Sequence, residues 1–264
     1  MTTAKHTYLP LFLCMGLFFS CGIEEYVYLD PIETAYSTGV NQGRIVIPSG
    51  SPSSYFRYYT IFYRIYISDV PFTAITSDTQ RRDLNPVLAS HYNTIDPYTV
   101  NETISPSTIG SVFNNCRYHP LYVGLNTSNE IAMHELLNIG GYGAIPAVTS
   151  GAPPVPHEIN LDFTNSTAGP FFTLNYDTAS NPFFLFRSAG GFTPLPDRLF
   201  FFSSDMVTTV NNDVNADVEL KTGSSPLYAY VSVYILATGI DDNYTLIYSR
   251  PKHVGIFRLN NKPP

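Results

Sequence analysis

The chain has 264 residues, with 14 Lys and Arg against 21 Asp and Glu for a formal charge of −7, a balance that excludes the basic stripe a nucleic-acid partner needs. At 44% apolar residues it is too hydrophobic for a disordered chain, and three cysteines are too few for a disulfide framework. The 20 Tyr and 18 Phe, the absence of Trp, and 21 Pro with 17 Gly predict strands punctuated by turns.

In chain order, residues 1–20 read as an export leader. A short polar start carrying Lys5 and His6 precedes an apolar run from Tyr8 to Phe19, broken by Pro10 and Gly16, which ends at the small residue Ser20. A run of about 12 residues is too short for a hydrocarbon core that needs about 20 helical residues. The stretch that follows, Leu17-Phe18-Phe19-Ser20-Cys21, resembles the lipobox of bacterial lipoproteins, with Leu17 and Ser20 in place and Phe18 and Phe19 bulkier than the strict pattern. That relaxed form is most similar to spirochaete lipoproteins. Cys14 is a poor rival because Leu13, before it, is too large for a cleavage site.

The resemblance implies cleavage before Cys21, lipid on Cys21, a lipid bilayer as partner and, because Gly22 rather than Asp follows, residence at the outer membrane of the cell envelope. Each buried CH2 contributes about 0.8 kcal/mol, so two or more acyl chains anchor stably. The alternative is a secreted protein with a plain thiol at Cys21. Without the leader the chain holds 13 bases and 21 acids, a formal charge of −8. Anionic headgroups would then add nothing to anchoring, and Cys116 would be left as a lone thiol.

Residues 21–42 read as a tether and 43–264 as the folded part. A short strand over 43–48 leads through a turn-rich joint to residues 55–68, the strongest strand signal in the chain. There Tyr59, Ile61, Tyr63, Ile65 and Ile67 alternate with Phe56, Tyr58, Thr60, Phe62, Arg64 and Tyr66. Its mate is remote: over 227–238, Leu227, Ala229, Val231, Val233, Ile235 and Ala237 alternate with Tyr228, Tyr230, Ser232, Tyr234, Leu236 and Thr238. Between them, 69–128 alternates short apolar pieces with Pro and polar residues. A capping-box spacing at Thr127 and Glu130 predicts one short helix over 131–139, and the Pro/Gly cluster over 140–156 a loop. Strands are expected over 171–176, 182–187, 198–203, 244–248 and 253–259.

Tyr59-Thr60-Ile61-Phe62-Tyr63-Arg64 resembles the central strand of a fibronectin type III domain. Tyr228-Ala229-Tyr230-Val231-Ser232-Val233, with Ser249-Arg250-Pro251, resembles its last two strands. The match covers about a third of the folded part and lacks the family's early-strand Trp. Roughly 160 residues separate the two blocks, in a fold that ordinarily needs about 100 in all. The expected fold is therefore mainly β, a fibronectin- or immunoglobulin-like sandwich with an insertion at about 69–225 that carries the one helix; the rival is two β domains in tandem.

Few residues assemble into chemistry. Cys116 and His119, with His91 or His134, could make a nucleophile or metal pair, but a thiol in this aromatic, Pro-flanked segment is more commonly a small buried hydrophobe. His134-Glu135-Leu136-Leu137-Asn138 lacks the second histidine of a zinc helix. Asp213, Asn215, Asp217 and Glu219 alternate with apolar residues and would place four oxygens on one side, the kind of set Ca2+ takes. The EF-hand glycine and terminal Glu are replaced by Val218 and Ser224, however, and such alternation is more commonly a solvated strand face. Tyr55, Tyr58, Tyr66, Tyr228, Tyr230 and Tyr234 could line a ligand or partner surface, or fill a core between sheets or beneath the insertion.

The expected function is a non-enzymatic envelope lipoprotein with no cofactor, acting as an interaction or structural module toward a protein or glycan partner. The alternative is a periplasm-facing protein that binds a small sugar or apolar ligand. An unrecognised hydrolase would need His91, His119, His134 or His157 grouped with carboxylates.

Overall fold

A computed structural model describes residues 29–47, 54–100, 106–124, 130–132, 157–164, 171–174, 183–188, 194–203, 205–208, 216–223 and 225–261. The leader, Cys21, residues 133–139 of the helix expected over 131–139, the 140–156 loop, His134, Asp213 and Asn215 lie outside them.

The fold is a mainly β, two-sheet sandwich with helices on one outer face. Its spine is the antiparallel pair β3 (Phe56–Ser68) and β12 (Tyr228–Ile240), joined in continuous register from Tyr228↔Ser68 to Thr238↔Tyr58. Large residues meet small ones across this ladder: Ile67 faces Ala229, Tyr63 faces Val233 and Tyr59 faces Ala237. That complementarity fills the surface without overlap. β14 (Lys252–Leu259) and β13 (Leu246–Tyr248) line the far edge of β12. β4 (His119–Pro120) and the parallel β11 (Val218–Leu220) line the far edge of β3.

The second sheet runs in the order β1 (Thr34–Ser37), β2 (Gln42–Ile47), β7 (His157–Asp162), β8 (Phe171–Leu174), β9 (Phe183–Ser188), β5 (Tyr122–Gly124), β6 (Glu130–Ala132), with β10 (Pro194–Leu199) also paired to β9. The core lies between the sheets. Ile61, Tyr63, Ile65, Val231, Val233 and Ile235 of the spine share it with Ile45, Ile159, Leu161 and Leu185 of the second sheet. Six such side chains, at about 1.5–3 kcal/mol each on full burial, already outweigh any single polar contact.

The other face of the spine, bearing Phe62, Tyr66, Tyr230 and Tyr234, is covered by α1 (Asp78–Leu84), α2 (Pro86–Val100) and α3 (Pro106–Asn115). A short fourth helix, α4 (Asp205–Thr208), lies elsewhere. Local signals place the three. Ser77 caps α1 in a reciprocal box with Gln80. The Asn85 Oδ1 accepts from Val87 N at 2.9 Å, with Pro86 as the first residue of α2. α3 turns Ile109, Val112, Phe113 and the following Cys116 inward at helical spacing.

Three expectations change. Helices occupy Asp78–Leu84, Pro86–Val100 and Pro106–Asn115, where short apolar pieces broken by proline were expected. Residues 130–132 pair with β5 as a strand, where a helix was expected to begin. The tether is also shorter than expected: Leu29, Ile32 and Ala35 are buried in the core and β1 pairs with β2. Residues 69–225 supply β4 and β11 to the spine sheet and β5 to β10 to the other.

Candidate functional site

The densest set of polar chemistry lies between the spine and its helices. Ser232 stands opposite Arg64 in the ladder, and a small residue there leaves room for the guanidinium and for Tyr118. Arg64 is fully buried; it donates to the Arg117 carbonyl at 2.7 Å and to Glu219 Oε2 at 2.6 Å. Beside it runs a chain of hydroxyls. Tyr66 donates to the Tyr118 oxygen at 3.4 Å and Tyr118 donates to Ser232 Oγ at 3.0 Å. His91 Nδ1 lies 2.8 Å from the Tyr66 oxygen, and His253 Nε2 lies 3.4 Å from Ser232 Oγ. A consistent direction has the His91 N–H donate to Tyr66 and the Ser232 hydroxyl donate to a neutral His253.

Burial sets the ionisation of these groups. It pushes His91 down to about 4, aided by the Arg64 and Arg117 charges, and His253 down to about 3, aided by Arg81. Burial pushes the Tyr118 phenol up to about 12 and raises the Cys116 thiol. The resulting state is neutral histidines, neutral phenols and an unionised thiol. Cys116 and Tyr118 are buried and keep their protons at neutral pH, while the two half-buried histidine rings are uncharged.

The second polar cluster ties the two sheets together. Arg187 on β9 donates to Asp217 through Nε at 2.8 Å and Nη2 at 2.6 Å, and Tyr63 donates to the same carboxylate at 2.7 Å. Arg187 is 1% exposed and Asp217 0%.

Of the residues singled out from sequence, Cys116 and His119 part company. Cys116 lies in the helix-side cluster, whereas His119 is in register with Tyr63, whose side chain faces the other sheet. Asp217 and Glu219 also diverge: the first turns between the sheets to Tyr63 and Arg187, the second toward the helices to Arg64. The oxygens expected on one side for Ca2+ are thus split, each already facing an arginine. Among the described residues no group of three His, Cys, Asp or Glu could hold a metal ion. Tyr66, Tyr230 and Tyr234 are buried beneath the helices with the half-buried Tyr228 packed against them, whereas the half-buried Tyr55 packs on the core between the sheets and Tyr58 is half-buried. Sequence reasoning missed Arg64 and Arg187 as interior charges, and Tyr118, Ser232 and His253 as one chain.

Compared with protein-family models, with curated proteins and with solved structures, the chain finds no match.

Two neighbouring phenols separate the polar chain from its surroundings. Tyr118 is bonded on both sides, whereas the Tyr234 hydroxyl, also buried, meets no hydrogen-bond partner among the described residues. Tyr118→Phe is expected to cost about 1–2 kcal/mol and Tyr234→Phe to be neutral or to stabilise by up to about 1 kcal/mol. Urea midpoints at unchanged slope measure both; equal losses in the two variants would refute the assignment.

Proposed function

We propose that the chain is a lipid-anchored protein of the bacterial envelope, residing at the outer membrane, whose folded part is a non-enzymatic interaction or structural module. The observation that carries this is the Leu17-to-Cys21 stretch: an apolar run ends on small Ser20 and is followed at once by a cysteine. Acylation of Cys21 makes the bilayer the first partner; a protein or glycan is the second. Among the described residues no helix is long and apolar enough to cross a membrane.

The arrangement of polar groups supports the non-enzymatic half of the reading. Cys116 and Tyr118 are buried and the half-buried His91 and His253 pack on aromatic rings, and all four hold neutral forms. The small-ligand alternative drew on an aromatic lining, and Tyr66, Tyr230 and Tyr234 are committed to packing under α1 to α3.

Metabolic labelling with palmitate tests the anchor. Wild-type protein is expected to take label and Cys21→Ala to take none; equal label in both sinks the proposal.

A further inference from the structure

One end of the spine carries an aromatic that stands out into solvent. β12 turns into β13 through residues 241–245, and Tyr244 at this tip is 91% exposed with φ 61°, a backbone region that bulky residues rarely adopt. The turn is built to hold it there. Asp241 Oδ1 accepts from Asn243 N at 2.9 Å and from Thr245 N at 2.8 Å, while Tyr244 N donates to the Asp241 carbonyl at 3.0 Å. Tyr55 anchors the same turn from β3, donating to Asp242 Oδ2 at 3.0 Å. Leu246, the first residue of β13, is 45% exposed beside it. Strain retained around an exposed aromatic points to a use outside the fold.

The same end receives the incoming chain. Leu29 is buried against Gly239, where a Cβ would lie 3.0 Å from Leu29 Cδ1 and 2.5 Å from the Tyr55 carbonyl. From Leu29 the chain runs away from this end: Glu33 reaches Arg250, and the Val40 carbonyl accepts from Arg258 N at 2.9 Å, level with Tyr230. Cys21 is eight residues before Leu29, which at 3.3–3.6 Å per residue allows at most about 28 Å. At about 3.3 Å per residue, the 13-residue β12 spans about 40 Å from this end to Leu227 at the other. A lipid on Cys21 therefore keeps the Tyr244 end within reach of the bilayer.

We propose that Tyr244, with Leu246, docks into the headgroup layer of the bilayer that holds the acylated Cys21, so that the sandwich stands on this end. Tyrosine is suited to that layer, its ring apolar and its hydroxyl wet. Toward the same end Asp30, Glu33, Asp241 and Asp242 outnumber Arg57 and Arg250, so the partner is a zwitterionic lipid surface; an anionic one would be repelled. This rests on the anchored reading above.

Because the chain has no Trp, Tyr244→Trp introduces a single indole as reporter. The acylated full-length variant, incorporated into phosphatidylcholine vesicles carrying a lipid-borne quencher, is expected to emit at shorter wavelength and to be quenched. Leu227→Trp, at the opposite end and 57% exposed in the parent, is expected to emit as in water without quenching. Leu246→Trp repeats the first readout from the adjoining strand. Co-flotation with vesicles reports the anchor separately. Variants that float but show no quenching at 244 and 246, or equal quenching at 227, overturn the docking while leaving the anchor standing; failure to float with no palmitate on Cys21 removes the anchor and the docking with it.

Discussion

Asp217→Ala is expected to destabilise the fold by about 3–5 kcal/mol, because it leaves the Arg187 guanidinium, 1% exposed, without the carboxylate that faces it. That is a large share of the roughly 5–15 kcal/mol by which a domain is ordinarily stable. Three hydrogen bonds are lost together, two from Arg187 and one from the Tyr63 hydroxyl at 2.7 Å. The pair also joins the sheets: Arg187 belongs to β9 of one, and Asp217 leads into β11 at the edge of the other. Removing both charges is a different experiment. Arg187→Met with Asp217→Leu takes away the desolvation cost along with the attraction, and is expected to recover most of the loss. Urea denaturation of wild type, single and double variants decides it. A wild-type midpoint for Asp217→Ala would show that the pair contributes nothing.

How much of this was legible depends on the range of the signal. The spine was readable because β3 and β12 each alternate over 13 residues, and an aliphatic face of Ile and Val specifies burial whatever lies above it. Their pairing across roughly 160 residues followed from the matching character of the two runs. The opposite face was harder. Tyr, Ser and Thr tolerate water or a core equally, so Tyr66, Tyr230, Ser232 and Tyr234 could not reveal what covers them. The covering helices carried their own signals, and proline hid them. Pro86 and Pro106 are the first residues of α2 and α3, where a missing N–H costs nothing, and Pro97 rides inside α2. The box Ser77-Asp78-Thr79-Gln80 obeys the rule that singled out Thr127 and Glu130, yet only the first starts a helix among the described residues; Glu130 opens a strand because β5 offers it a ladder.

The polar chain was not legible at all. His91, Tyr66, Tyr118, Ser232 and His253 come from α2, β3, the segment after α3, β12 and β14, and only the topology brings them together. The interior arginines were hidden for a related reason. Arg187 closes an aromatic strand, Phe183-Phe184-Leu185-Phe186, and Arg64 sits mid-strand; each reads as a surface charge until a carboxylate from 217 or 219 arrives to meet it. The tether was overestimated because Leu29, Ile32 and Ala35 are spaced without a strand or helix period.

The stability of the folded chain is expected to fall as pH drops from about 6.5 to about 5, a window that lies above the titration of ordinary carboxylates near 4. His91 is pushed down to about 4 and His253 to about 3, while both titrate near 6.5 when unfolded. Between those values the unfolded chain binds more protons than the folded one, so stability rises with pH through the window and is lost on acidification. Each histidine contributes at most about 1.4 kcal/mol per pH unit, and less where solvent screens these half-buried rings. Among the described residues the charges that act on these rings are cationic, Arg64 and Arg117 on His91 and Arg81 on His253, and the contacting neighbours are Tyr66, Tyr92, Tyr118, Tyr234 and Ser232. His253→Phe keeps a ring against Tyr234, at 4.6 Å between centroids, and Tyr92, at 5.4 Å, and removes one titrating group. The pH slope of urea stability between about 5 and 6 is then expected to fall by about half. A flat wild-type profile across that range would mean that the helix layer admits water and protons to both rings, and that the polar chain is open in solution.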